Sequence, residues 1–423
     1  MKIRICKRGD YLVIDNKPLL IKAIGKKEPN YKMIDLMKYV AAIMVICIHC
    51  NQLFPQEYLN FFIKNIICRI AVPFFFISSA YFVRKQSVKN TNYVSIYLKK
   101  LIKSYCLWSI VFIPIGLDWL HQNLSVAGYL LPFALVYGFV HIGTYYHLWY
   151  IPAMIIAIFL VNKLLKRFSY KTLFLVAIML FMFGSIESYY GLLNNGWFKD
   201  FFDLLIKVIF TTRSGIFYGL IFILIGFFLY DYQDRMISSS KNITILTIVF
   251  FILLIIEGNF LYSIDRLDMN FLLMLIPFSF FFFRWIMLFP YTLNFETKKI
   301  RELSKYYYFV HPVSVVIIEE IGSGLGAQLI SSGIISLLLV IVLTHILSSI
   351  IIMMKPPLNK WFLLLASLLG IVTTMILAGI FFCFKLNEVI VKFELVPCLW
   401  FYSSFIMYYM LMKNVAKKSE FKS

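Results

Sequence analysis

Ile34-Asp35-Leu36-Met37-Lys38-Tyr39-Val40-Ala41-Ala42-Ile43-Met44-Val45-Ile46-Cys47-Ile48-His49 is apolar enough to lie in a membrane, yet it carries three ionisable side chains. A helix needs ~20 apolar residues to cross about 30 Å of hydrocarbon. A charge within such a helix is costly unless it faces protein or water. From Lys38 to His49 the helix climbs ~16 Å and returns to within about 20° of the same face. Asp35 and Lys38 stand three residues apart, the spacing of a helical ion pair. All three therefore point one way, with the small Ala42 between them, and predict one wall of a polar passage. His49 alone reads in two ways: a buried imidazole satisfied by a neighbour, or a general base, because imidazole titrates near neutral pH. Cys47-Ile48-His49-Cys50 does not predict a metal site. On a helix His49 diverges from the face that the two cysteines share.

The rest of the 423-residue chain agrees with a membrane reading. It is 61% hydrophobic and 15% charged, with a mean hydropathy of +0.82. A soluble domain needs about 25% charged residues to solvate its surface. A single globular core, a disordered chain and a fibrous repeat are thereby excluded. The 43 Phe and 27 Tyr suit a lipid-facing surface with aromatic belts. A net charge of +20 would suggest nucleic acid in a soluble protein. Here it is spent on loops facing an anionic leaflet, so membrane lipids are expected as partners and nucleic acid is not. Seven cysteines give no disulfide framework, and nothing in the sequence signals or opposes a homo-oligomer.

Windows long enough to span recur at 34–54, 66–83, 98–118, 146–165, 172–187, 213–230, 243–260, 271–290, 305–320, 328–353, 361–384 and 396–412. The expected fold is an all-α polytopic bundle of about twelve spans. Residues 126–140 are too short to cross and predict a re-entrant or interfacial segment. A basic arm (1–33) precedes the bundle (34–353), and two further helices (354–412) and a basic tail (413–423) follow it. The arm has no early apolar region, so no cleavable signal is expected. Its Tyr11-Leu12-Val13-Ile14 run reads as a hairpin or a surface-lying arm. With the N-terminus inside, 31 of the 41 Lys and Arg fall on segments assigned to the cytoplasm, and 119–145 has none. This is the positive-inside pattern. Both termini are expected in the cytoplasm, and the protein in the cell membrane.

Other polar residues accumulate at the edges of the windows: Arg69, Ser78 and Ser79 in the second; Lys99, Lys100 and Lys103 at the mouth of the third; His147 and Trp149 opening the fourth; Arg213 beginning the sixth; His311 inside the ninth. Lys99–Lys103 alone reads as ordinary positive-inside charge or as a phosphate-binding mouth.

Five motifs come in order: Ile34-Asp35-Leu36-Met37-Lys38 with His49; Arg69-Ile70-Ala71-Val72-Pro73-Phe74-Phe75-Phe76-Ile77-Ser78-Ser79-Ala80-Tyr81; Lys100-Leu101-Ile102-Lys103; Tyr146-His147-Leu148-Trp149-Tyr150; and Tyr307-Tyr308-Phe309-Val310-His311-Pro312. Together they resemble the acyltransferase-3 family of membrane acyltransferases over roughly residues 33–353. Within it, Thr212-Arg213-Ser214-Gly215-Ile216-Phe217 and Cys50 after His49 are similar to the membrane half of the vancomycin-resistance serine racemases. Two apparent helices and a short tail stand where that branch carries its racemase half. The sequence departs from the family pattern at three places. Lys38 occupies an arginine position, which keeps the charge and loses the bidentate fork. Lys100 and Lys103 replace an arginine pair, and Ser79-Ala80-Tyr81 replaces Ser-Gly-Tyr.

The resemblance implies transfer of an acyl group, in this family often acetyl, from cytoplasmic acyl-CoA to a hydroxyl of an extracytoplasmic or lipid-linked cell-envelope glycan. It implies His49 as the catalytic base, with Asp35 and Lys38 holding the electrostatics of the passage. Lys99, Lys100, Lys103 and Arg69 would meet the CoA phosphates. Ser78, Ser79, His147, Trp149, Arg213 and His311 would line the substrate side. No metal is implied. Two other classes stay open: a transporter of a small molecule such as L-serine, and an assembly component of an envelope-polysaccharide system. The topology has its own test: reporter tags at Asn123 and Asn195 are expected outside and one at Gln86 inside, and a reversal at any of them breaks the helix assignment.

Overall fold

The computed structural model describes residues 4–5, 11–14, 17–20, 30–123, 131–236, 240–290, 296–324 and 332–354. In the basic arm, Tyr11–Ile14 pairs antiparallel with Lys17–Leu20, Ile14 opposite Lys17, and Arg4–Ile5 adds to the Tyr11 strand. The arm thus carries the hairpin, a small departure from the all-α expectation. Everything else described is helix and connection. The predicted windows at 361–384 and 396–412 and the tail lie outside the described residues.

The helices are α1 (Tyr31–His49), α2 (Glu57–Lys89), α3 (Tyr93–Asn123), α4 (Leu131–His141), α5 (Tyr146–Leu164), α6 (Tyr170–Ser185), α7 (Trp197–Ile209), α8 (Gly215–Asp231), α9 (Ser240–Ser263), α10 (Leu275–Met287), α11 (Lys298–Gly324) and α12 (Gly333–Met354). Four of them, α2, α5, α9 and α12, are both long and apolar enough to cross a membrane, and α6, α8 and α10 are shorter apolar helices. Helices α1, α3 and α11, which carry Asp35, Lys38 and His49, the three lysines, and His311, are long but interrupted by charge. The peripheral α9 and α12 leave rows of apolar side chains exposed, among them Ile245, Ile248, Ile252 and Ile256, and Ile335, Leu338, Val342 and Ile346. Such rows suit a lipid-facing surface.

Of the segment 126–140, expected not to span, residues 131–140 belong to the short helix α4 and 126–130 lie outside the described residues. Two other boundaries differ from the sequence reading for physical reasons. The window at 305–320 is the middle of the 27-residue α11, whose charged first turns hide it from a hydropathy count. Helix α7 lies between the predicted windows 172–187 and 213–230. Its Trp197, Phe201, Leu204 and Val208 share one face and are exposed, while Phe202 is buried. That is the pattern of a helix lying in the interface plane.

Packing fixes the frame. Tyr31 at the start of α1 lies 5.5 Å from the Phe82 ring, and Lys85 covers Tyr31 at 3.9 Å. Cys47, near the other end of α1, neighbours Cys68. Helices α1 and α2 are therefore antiparallel. Asn30 caps α1, accepting from Met33 N and bonding the Met287 and Phe289 carbonyls, which ties this start to the end of α10. Helices α2 and α8 pack closely at the centre. A Cβ at Gly226 would come within 2.5 Å of the Ala80 Cβ and the Ile77 carbonyl. Without a hydrophobic force between helices in lipid, such small-residue approaches supply the packing energy.

Gly226→Ala is therefore expected to lower thermal stability by about 1–3 kcal/mol through overpacking. Gly138→Ala, where nothing lies within 4 Å of the new Cβ, is expected to leave it unchanged or slightly raised. Equal melting temperatures for the two variants in detergent would contradict the close α2–α8 contact.

Candidate functional site

Helix α1 stops at His49. Cys50 turns extended (φ −68°, ψ 153°), and the Lys64 ammonium takes the freed Cys50 carbonyl at 2.6 Å. The half-buried His49 ring stacks on His311, with centroids 5.2 Å apart and planes 25° from parallel, and meets Tyr146 at 4.8 Å. His311 is wholly buried in α11 and precedes Pro312, which has no N–H for the Tyr308 carbonyl one turn back. His311 Nδ1 lies 2.9 Å from the Tyr307 carbonyl. A carbonyl only accepts, so Nδ1 carries the proton and Nε2 keeps a lone pair in the neutral ring. Among the described residues that Nε2 has no hydrogen-bond partner.

His147 completes a group of three imidazoles. It stands edge-on to His311 at 5.5 Å and edge-on to Phe112 at 4.6 Å. Tyr308 Oη fixes its backbone by donating to the His147 carbonyl at 2.7 Å, and neither ring nitrogen has a partner among the described residues. The group lies where the three apolar clusters of the bundle meet: Trp149 belongs to one, Leu148 and Val310 to a second, Tyr307 and Cys50 to the third. No set of three His, Cys, Asp or Glu side chains among the described residues is placed to hold a metal ion.

A second constellation stands beside His49. Arg69 lies in a short 3-10 turn, Cys68–Ile70, after a π turn, Phe62–Ile67. Pro73, which cannot donate to the Arg69 carbonyl, accounts for part of this irregularity. The Arg69 guanidinium donates to Asn270 Oδ1 at 2.6 Å and to Asn65 Oδ1 at 2.8 Å. Asn270 donates in turn to Asp268, and Asp268 pairs with Arg213 at 3.7 Å. Arg213 lies over the Trp149 ring at 4.9 Å. Just before Arg213, Glu187 accepts from Thr212 N at 2.6 Å and Thr211 Oγ1 at 3.1 Å, which holds the loop leading into α8.

The other end of α1 has a different composition. Asp35 accepts from Thr297 Oγ1 at 2.8 Å and from Arg301 at 3.3 Å. The predicted Asp35–Lys38 pair is thus replaced by an Asp35–Arg301 pair, because α11 packs along α1 and brings a guanidinium to the carboxylate. Lys38 instead lies 5.0 Å from the Phe82 ring centroid. Lys99, Lys100 and Lys103 are exposed on the first turns of α3, which begins where α2 ends. Arg69, grouped with them as a phosphate-binding cation, is 20 helical residues from the end of α2, or ~30 Å away along the axis. It belongs with His49 and not with the three lysines.

An interior line of side chains connects the two ends. Ser79 faces the hydroxyls of Tyr97 and Tyr150, two residues from Lys99 along α3. Tyr150 meets Tyr308 at 5.5 Å, and Tyr308 meets His147 at 5.6 Å. Ser79, Tyr97, Tyr150 and Tyr308 all retain partial exposure within the bundle. Ser78 is not on this line; it is fully buried and bonds back to the Phe75 carbonyl at 3.2 Å. Asn65, Asn270, Asp268, Thr297 and Arg301 carry no direct sign in the sequence. The alternation Arg266, Asp268, Asn270 in a connecting segment is the signal that could have pointed to a polar side there.

Replacing Asn270 by Leu is expected to destabilise the chain by about 1–3 kcal/mol, since a half-buried guanidinium loses an acceptor. An unchanged melting temperature would mean that Arg69 is held by other groups.

Comparison with known proteins matches the model of an acyltransferase domain, Acyl_transf_3, to residues 31–354. An amino-acid racemase of Enterococcus faecalis is 30% identical over 321 residues, 73% of this chain and 44% of that protein. A serine/alanine racemase of Enterococcus gallinarum is 30% identical over 300 residues, 67% and 41% respectively. The chain therefore spans less than half the length of these curated relatives. No solved structure matches it.

Proposed function

The chain belongs to the acyltransferase-3 family of membrane proteins, and from that premise we propose that it is an O-acyltransferase. It takes an acyl group, acetyl in the simplest case, from acyl-CoA at the lysine end. It delivers the group to a hydroxyl of a cell-envelope glycan at the His49 end. The observation that carries this reading is the half-buried His49 ring, stacked on His311 and joined to the lysine mouth by the line of Ser79, Tyr97, Tyr150 and Tyr308. Lys99, Lys100 and Lys103 offer mobile ammonium groups for phosphates. The thioester threads past Tyr150 toward the imidazoles. His49 removes the proton from the acceptor hydroxyl, whose oxygen attacks the thioester carbonyl. The C–O bond forms, the C–S bond breaks, and the proton leaves with the CoA thiolate. His311 acts as a positioning residue, its ring fixed through Nδ1. Trp149 and Arg213 shape the acceptor side. Asp35 and Lys38 set the charge at the entry.

Transport of a small molecule such as L-serine is the second reading; the relatives that match this membrane part are named amino-acid racemase and serine/alanine racemase, so the cargo to test is an amino acid. One paired assay separates the two. Purified protein with radiolabelled acetyl-CoA and envelope glycans is expected to transfer label, and His49→Ala to lose at least about 10²-fold of that rate. The double variant Lys100→Ala/Lys103→Ala is expected to weaken acetyl-CoA binding at an unchanged melting temperature. Proteoliposomes that take up labelled serine in both wild type and His49→Ala, with no acetyl-CoA binding, would overturn the enzyme in favour of the transporter.

A further inference from the structure

Next to the Arg69 constellation, at the His49 end of the bundle, a pocket of about 460 Å³ is lined by Ile48, Glu57, Lys64, Asn65, Arg69, Tyr262 and Arg266, among others. Ile48 is the residue before His49. Lys64, Arg69 and Arg213 lie close enough to act electrostatically on the His49 ring.

The charge balance of this pocket is one-sided. Three cations line it against the exposed Glu57. Among the described residues no ion pair within 4 Å reaches Lys64, Arg69 or Arg266. Asp268 and Glu319 stand further off, one acting on Arg69 and the other on Lys64. The hydrogen bonds of the three cations go to neutral oxygens: Lys64 to the Cys50 carbonyl, Arg69 to two asparagines, and Arg266 to the Leu261, Tyr262 and Ile264 carbonyls. Arg69 Nε has no partner at all among the described residues. Cations gathered in a concave site with low-dielectric walls focus potential and concentrate anions. Guanidinium and ammonium donors together match carboxylate and phosphate oxygens.

The rim is aromatic. Tyr262 meets Tyr58 edge-on at 5.3 Å and Phe61 at 5.0 Å. Tyr58 and Tyr262 remain exposed. Amphipathic rings of this kind present an apolar face to a ligand while their hydroxyls stay wet.

We propose that this pocket binds an oxyanion on the acceptor, a carboxylate or a phosphate on the sugar whose hydroxyl is acylated. The acceptor class is then an acidic glycan rather than a neutral one. The adjacent Arg69 and Lys64 anchor the anion, and the sugar lies against Tyr262 with its hydroxyl turned to His49. The acylation step rests on the acyltransferase reading; the anion preference of the pocket does not.

The test titrates the purified full chain with three sugars of one frame: methyl glucuronide, glucose 6-phosphate and methyl glucoside. Binding is read by thermal shift and calorimetry. At least one charged sugar is expected to bind at least about tenfold more tightly than the glucoside, and added salt to erode the difference. Which charged sugar binds identifies the anion as carboxylate or phosphate. Lys64→Gln is expected to abolish the preference and Lys64→Arg to restore it, both at wild-type circular dichroism and with unchanged acetyl-CoA binding. Equal binding of all three sugars, binding of none, or a preference that survives Lys64→Gln would overturn the proposal. An anion preference without acyl transfer to any sugar would leave the pocket standing and defeat the enzyme reading. Transfer to the uncharged glucoside at the same KM as to the charged sugars would do the reverse.

Discussion

A guanidinium inside an apolar bundle must be compensated by protein, because the bilayer has no water to offer. Arg69 is such a group, and the structure around the site follows from satisfying it. Asn65 holds it from its own helix, and Asn270 holds it from the segment before α10. Asn270 is oriented by Asp268, which also reaches Arg213 at the start of α8. Arg213 then lies on Trp149, the last residue of the 3-10 turn that carries His147. One half-buried charge thus links four separate segments and sets the position of the histidine group. Removing such a charge's partners costs far more than the pair contributes net, which makes this network a determinant of geometry more than of stability.

The same constraint explains why the bundle is apolar at its edge and polar at its centre. Of the four helices that are both long and apolar, α9 and α12 lie at the periphery and leave most of their span exposed, while α2 and α5 are packed inside. Helices α1 and α11 bring Asp35, Lys38, His49 and His311 inward, with the exposed Arg301 reaching Asp35 from the surface, and pack against each other along their lengths. Pro312 adds to this. By freeing a carbonyl in the middle of α11, it leaves a polar spot beside His311 where a regular helix would have none.

Much of this was legible in the chain. The period of α1, the motifs around His147 and His311 and the placement of the windows follow from local pattern. What was not legible depended on partners far along the chain. Asp35 and Lys38 have the spacing of an ion pair, yet Asp35 meets Arg301, 266 positions away. Arg69 and Lys100 are both cations near the edges of their windows, and the twenty helical residues from Arg69 to the end of α2 put them at opposite ends of the bundle. Helix α7 escaped because its apolar face is discontinuous in sequence and turned outward. The stacking of His49 on His311 joins residues 262 apart, which periodicity cannot see.

The two ends also differ in how their cations are held, and that difference bears on direction. Lys99, Lys100 and Lys103 are exposed, with flexible stems and solvated heads. Such groups attract a mobile, highly charged ligand and release it readily, since exposed charge pairs contribute little individually. Arg69 and Arg213 are half-buried, their forks already spent in part on Asn65, Asn270 and Asp268. A preorganised cation loses little entropy when an anion arrives. One end is therefore suited to exchange, the other to registration of a ligand against a fixed imidazole. Under the proposed acyl transfer, a donor that comes and goes as thioester and free thiol would fit the first, and an acceptor whose hydroxyl is aligned with His49 would fit the second.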